Sequence, residues 1–167
     1  MFDMLAAAFT LALGAASPGG APDETVIFSD TVVRACYRAA QRGEASPEAI
    51  SVCTEAIELS ARHPFNRTAS TVNRGVLLFN AADYDGALED FTTAIEDYGT
   101  KNPKVFVNRG LAYEAARPGH PPYEVRARAD YERALESAPG NKIARRRLKA
   151  LERPFIERRP LNIRTIT

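Results

Sequence analysis

Small and apolar residues recur along this chain at spacings of three and four, which keep them on one face of a helix. Three stretches share one pattern: Ala49-x3-Cys53-x2-Ala56, Ala87-x3-Phe91-x2-Ala94 and Ala127-x3-Tyr131-x2-Ala134. Each predicts a helix with one packed side. A further helix is predicted over 141–152, with Ile143, Ala144, Leu148 and Leu151 on one side. The punctuation agrees. Ser46-Pro47 and Asn102-Pro103 each place a capping side chain before a proline, which the first helical turn tolerates. Asp83 or Asp85 caps the helix that holds Phe91, and Gly99 can end it. Arg117-Pro118-Gly119-His120-Pro121-Pro122 reads as a stiff turn that is not helical.

The two ends follow other patterns. Residues 4–13 form a short apolar run, followed by Gly14-Ala15-Ala16-Ser17. This is the layout of a secretory signal cut after Ala16, although no Lys or Arg precedes it. The alternative is an apolar first helix packed on the domain. The run falls short of the ~18–20 residues of a membrane span, and no lipobox cysteine offers a lipid anchor. After Pro154 the tail alternates apolar and basic residues, and Pro160 opposes a helix there.

The packed helices belong to a repeat. Asn73-Arg74-Gly75 returns 35 residues later as Asn108-Arg109-Gly110. Two antiparallel helices approach closely only where side chains are small. Gly75 with Ala87, and Gly110 with Ala127, supply that contact in two successive hairpins. A period near this length marks a helix-turn-helix solenoid. Gly75 to Ala87 is 12 residues and Gly110 to Ala127 is 17, so the last copy carries an insertion, assigned to residues 117–122.

These residues resemble the tetratricopeptide repeat (TPR) family. The stretch NRGVLLFNAADYDGALEDFTTAIED, residues 73–97, fits it in nearly every slot, and the resemblance runs over about 30–141. The first copy departs from the pattern by holding Tyr37 in the glycine slot. The resemblance implies an all-α fold, a right-handed superhelix of three TPR helix hairpins with a C-terminal capping helix. The repeats would span about 30–63, 68–101 and 103–141, with the cap at 141–152. Residues 1–21 would precede this domain as signal peptide or apolar segment, and 153–167 would follow as a tail.

The register assigns roles. Arg74 and Asp90 fall on facing helices of one hairpin, and Arg109 and Asp130 repeat the arrangement, which reads as structural ion pairs. Repeat one has Cys36 in the arginine slot and Cys53 beside the aspartate slot. A disulfide there would link the same two helices covalently, stabilising by ~3 kcal/mol in the chain-entropy model; two buried free thiols are the alternative. In TPR proteins the first helix of each hairpin lines a concave groove that binds peptides or partner helices. Those slots fall here on Arg34 and Arg38, on Val72, Asn73, Val76, Phe79 and Asn80, and on Val107 and Leu111. The groove is expected to be basic at one end and apolar in the middle, with Arg34 and Arg38 orienting an acidic residue of the ligand. A carboxylate clamp for a peptide C-terminus is not complete, because Val107 and Leu111 stand where basic residues are needed.

Composition narrows the function. The chain has 167 residues, 45% hydrophobic and 26% charged, with 22 Lys+Arg against 21 Asp+Glu. Such values describe a globular domain, not a disordered chain. Charge is unevenly placed: residues 141–167 carry net +7 and the rest net −6. The basic end reads as an exposed cap and docking tail; nucleic-acid binding is not expected, because stacking aromatics are scarce. His63 and His120 adjoin prolines without a nucleophile or carboxylate at a telling spacing, so no enzyme is expected. The spacing of the two His and two Cys fits no metal site, and no cofactor is implied. The function expected is a protein–protein interaction module, a scaffold or adaptor, in the periplasm or secreted, with a cytoplasmic site as the alternative. It would act as a monomer or associate weakly. The competing reading is a structural solenoid whose groove is covered by its own C-terminal tail.

Overall fold

The computed structural model describes residues 24–155, with side chains from residue 30 onward. The signal-like segment 1–21 and residues 156–167 of the tail lie outside the described residues. All regular structure among the described residues is α-helical: α1 (Glu24–Arg42), α2 (Pro47–Leu59), α3 (Pro64–Asn80), α4 (Tyr84–Glu96), α5 (Pro103–Ala116), α6 (Pro121–Ser137) and α7 (Lys142–Leu151). Each helix packs on the next, as short connections require. α1 also runs along α3, whereas α3 and α5 touch over a short stretch only. None of these helices is long and apolar enough to cross a membrane.

Local chemistry sets the helix starts. Ser46 accepts from the Ala49 amide at 3.2 Å, Asp83 from Gly86 at 3.0 Å and Asn102 from Lys104 at 3.0 Å. Asn141 accepts from both Ile143 and Ala144, at 3.1 and 3.0 Å. At α3 and α6 a proline opens the helix and the preceding histidine makes no side-chain cap bond. One expectation needs correction here. α3 starts at Pro64, because proline's fixed φ suits the first turn. For the same reason Pro121 and Pro122 belong to α6 rather than to the turn. The insertion is therefore absorbed mostly as helix: one residue lengthens α5, one the turn and three the start of α6. The longer α6 carries Tyr123, whose ring meets Tyr113 edge-on at 5.8 Å, with Arg126 within 6.0 Å of both ring centres. Gly119, at φ +73°, lets the Phe155 ring lie against this turn.

The repeated small residues form the core. Ala49, Ala56, Ala87, Ala94, Ala127 and Ala134 are buried, and Phe91 and Tyr131 are fully enclosed. A Cβ on Gly75 would stand 2.8 Å from the Phe91 ring, and one on Gly110 would stand 2.6 Å from the Tyr131 ring. Glycine is thus a packing requirement at both positions. In a solvated helix Gly→Ala gains about 1 kcal/mol. Gly110→Ala should instead destabilise the domain by about 1–2 kcal/mol net, because the enclosed Tyr131 ring cannot yield without strain. Urea unfolding measures this, and a stabilised variant would contradict the close contact.

The hairpins are tied across their two helices. Arg74 donates from Nε and Nη2 to the two Asp90 oxygens at 2.9 and 2.7 Å, and from Nη1 to Thr54 Oγ1 at 3.2 Å. Arg109 grips Asp130 in the same way at 2.9 and 2.9 Å, and reaches Thr92 Oγ1 at 3.4 Å. Thr54 and Thr92 occupy matching slots on α2 and α4. Each arginine therefore joins its own hairpin to the one before. Burial pushes both carboxyls up against the pull of their arginines, while the Asp90 hydrogen bonds hold the Arg74 guanidinium above its ordinary value. A guanidinium does not deprotonate at neutral pH, so two-point bonding keeps both pairs ionised. In the first hairpin a Cys36–Cys53 disulfide spans α1 and α2, with Cα atoms 4.7 Å apart and both cysteines fully buried.

A buried polar network closes the far end. Glu114 on α5 accepts from the Tyr131 hydroxyl at 2.7 Å and from Arg147 Nε at 2.9 Å, and Arg147 Nη2 bonds its other oxygen. Burial first, then the Glu114 carboxylate, holds the Tyr131 phenol well above its ordinary value of 10.0. The unfolded chain releases this proton near pH 10 while the folded chain keeps it. The contribution is intact below pH 10 and is lost as pH rises from there toward the folded value. Tyr131→Phe should cost about 1 kcal/mol at neutral pH for the lost hydrogen bond. It should also flatten the decline of stability above pH 10. Parallel alkaline declines in wild type and variant would contradict this.

Candidate functional site

The short contact between α3 and α5 leaves a groove of about 550 Å³ on the face shared by α1, α3 and α5. Its floor is apolar: Ala69, Val72 and Val76 of α3 and Val105 of α5. Tyr98, Thr100 and Asn102 of the α4–α5 connection and Lys104 of α5 complete the lining. Tyr37 and Phe65 form the lip, at 49% and 84% exposure. Arg67 lies over the Tyr98 ring, 5.2 Å from its centre. This volume falls within the usual range for small-ligand sites and accommodates one or two large side chains.

The groove is positioned by two local facts. α3 opens at Pro64, so Phe65 stands in the first turn where no neighbour covers it. Tyr37 occupies the glycine slot of the first hairpin. There the disulfide, not a Gly–Phe contact, holds the helices together, and Tyr37 turns outward to the α3 side. Asn73 lines the groove half-buried. No bond ties its amide among the described residues, so its donors and acceptor are available to a bound segment.

The nine residues assigned to the groove from sequence are divided by the structure. Val72, Asn73 and Val76 line it. Arg34 and Arg38 are exposed on α1 and do not line the groove, and Arg34 Nε donates to the Asp30 carbonyl at 3.2 Å. Phe79 is buried and meets Tyr84 edge-on at 5.3 Å. Asn80 lies beside the α1–α2 turn at Gly43. Val107 and Leu111 are buried in the core. The apolar groove therefore does not continue along α5 through Val107 and Leu111. α5 is enclosed by α4 and α6 and, through Glu114 and Arg147, by α7, so it buries residues on nearly every side.

Tyr37, Phe65, Tyr98 and Lys104 were not assigned to the site from sequence. Two of them carried a signal. Tyr37 breaks the small-residue slot, and Phe65 is a large apolar residue directly after a helix-opening proline. Tyr98 and Lys104 carried none, because they reach the groove only through the path of the α4–α5 connection and where it sets down the start of α5. No group of His, Cys, Asp and Glu suited to a metal ion occurs among the described residues. No family model, curated protein or solved structure matches this chain.

Proposed function

We propose that this chain is a TPR-type solenoid of three helix hairpins and a capping helix, and that it serves as a protein-interaction module. It acts as a scaffold or adaptor, taking a segment of another protein into the groove between α3 and α5. The observation that carries this reading is the pairing of an apolar floor with an exposed aromatic lip, Phe65 and Tyr37. Exposed aromatics at the edge of an apolar depression are the usual anchors of protein recognition. The other groups of the lining are hydroxyls, amides and one ammonium, a set suited to recognition rather than to acid–base catalysis. The buried disulfide supports a working site in the periplasm or another oxidising space. The module works as a monomer or a weakly associating chain.

Affinity capture from the cell's own envelope fraction tests the reading. The full chain is compared with a Tyr37→Asp, Phe65→Asp variant. Both residues are exposed, so the variant should keep its thermal midpoint. The expected result is loss of the captured partners with the variant. Partners held equally by both forms would place binding elsewhere and sink the proposal.

A further inference from the structure

We infer that the occupant of this groove is an acidic segment of another protein, carrying one aromatic or branched aliphatic anchor; this rests on the binding reading above. The argument begins with how charge is divided among the helices. α3 carries no Asp or Glu; Lys104 of α5 lines the groove, Arg67 of α3 lies over the Tyr98 ring that also lines it, and Arg34 and Arg38 are exposed on α1, near the lining Tyr37 in sequence. α2 and α4 have the opposite composition, with seven acids and no Lys or Arg. One face of the domain is therefore basic around an apolar depression, while the helices behind it are acidic. The net charge of +1 hides this separation.

The rim arginines are available for a ligand. Among the described residues no carboxylate lies within ion-pair distance of Arg34, Arg38 or Arg67, whereas Arg74, Arg109 and Arg147 are all paired. Arg67 is held by a ring instead, which fixes its position and leaves its charge uncompensated. Basic side chains around a low-dielectric depression concentrate a positive potential at its mouth. A segment with carboxylates flanking one large apolar side chain complements both features, the anchor on Val72, Val76 and Val105 and the acids on the rim. Asn73 can hydrogen-bond its main chain.

The same charge argues against the chain's own C-terminal tail and against a second copy. Residues 156–167 carry Arg158, Arg159 and Arg164 against Glu157 alone. Like charge opposes the tail's settling in the groove. In a second copy, α2 and α4 offer acids without an exposed large apolar residue, and the exposed Val125 of α6 has Arg126 beside it as well as Glu124.

The test is selection of a random dodecapeptide display library on the immobilised full chain, with counter-selection on Val72→Asp. The expected pool is rich in Asp and Glu with a recurring Phe, Leu or Ile. A synthetic consensus peptide should bind roughly tenfold more weakly to an Arg34→Gln, Arg38→Gln, Arg67→Gln variant, given the modest worth of each exposed pair. A selected pool that is neutral or basic, yet lost on Val72→Asp, would keep the groove reading and overturn the acidic class. No enrichment over Val72→Asp would overturn both. Salt-sensitive dimers of the chain in sedimentation, abolished by the same triple variant, would put a second copy on the rim and overturn the peptide assignment.

Discussion

Glu114→Leu is expected to destabilise the domain by about 3–5 kcal/mol, the largest effect of any single surface-remote substitution considered. Glu114 is 5% exposed and is the shared acceptor of Tyr131 and Arg147, so it joins α5 to α6 and α7. Without it, Arg147 keeps a charge in a site where its side chain is only 16% exposed, and the Tyr131 hydroxyl becomes a buried donor with no acceptor. The cost is thus mainly of groups left behind. It follows that Glu114→Leu combined with Arg147→Met should cost much less than the sum of the two single changes. Urea unfolding of all four forms measures the coupling. A value above about 2 kcal/mol is expected, and simple additivity would show that the pair is not a unit.

Cys36→Ala with Cys53→Ala should cost about 3 kcal/mol, the loop-closure entropy returned to the unfolded chain. The cysteines are 17 residues apart and both sulfurs are fully enclosed between α1 and α2, where α3 also passes. Hairpins two and three hold the corresponding helices by a two-point arginine–aspartate pair and a glycine–aromatic contact. The first hairpin has neither, because Cys36 and Cys53 stand in the slots of Arg74 and Phe91. Its stability therefore depends on redox state in a way the others do not. Reduced and oxidised wild type should differ in urea midpoint, with the reduced form close to the double alanine variant. Equal midpoints would show that α1 is held by packing alone.

How the groove forms also explains which site residues were legible in advance. The repeat pattern identifies residues that face the partner helix of the same hairpin, since that contact recurs at fixed offsets. The Arg74–Asp90 and Arg109–Asp130 pairs are of this kind. The outward face of each first helix has no such constraint. Its exposure depends on how far the next hairpin stands away, and this differs along the chain: α1 lies along α3, but α3 and α5 part. So Val72 stays half-buried on the groove with the buried Val76 at its floor, while Val107 and Leu111, in matching slots, are core that does not reach it.

What the sequence alone determined is local. The spacing of small and large residues specifies amphipathic helices, the Ser, Asp and Asn caps mark their starts, and Gly75 and Gly110 mark where helices must touch. The helices and caps follow from rules that act within a few residues, and the glycine contacts from offsets that recur with the repeat. The tertiary structure decided the rest. It placed Tyr98 and Lys104 on the same groove as Val72, gave Arg147 a partner 33 residues away in Glu114, and put three residues of a five-residue insertion into the start of α6. Such outcomes depend on the distance and angle between packed helices, which arise from the whole set of contacts at once and leave no periodic trace in the chain.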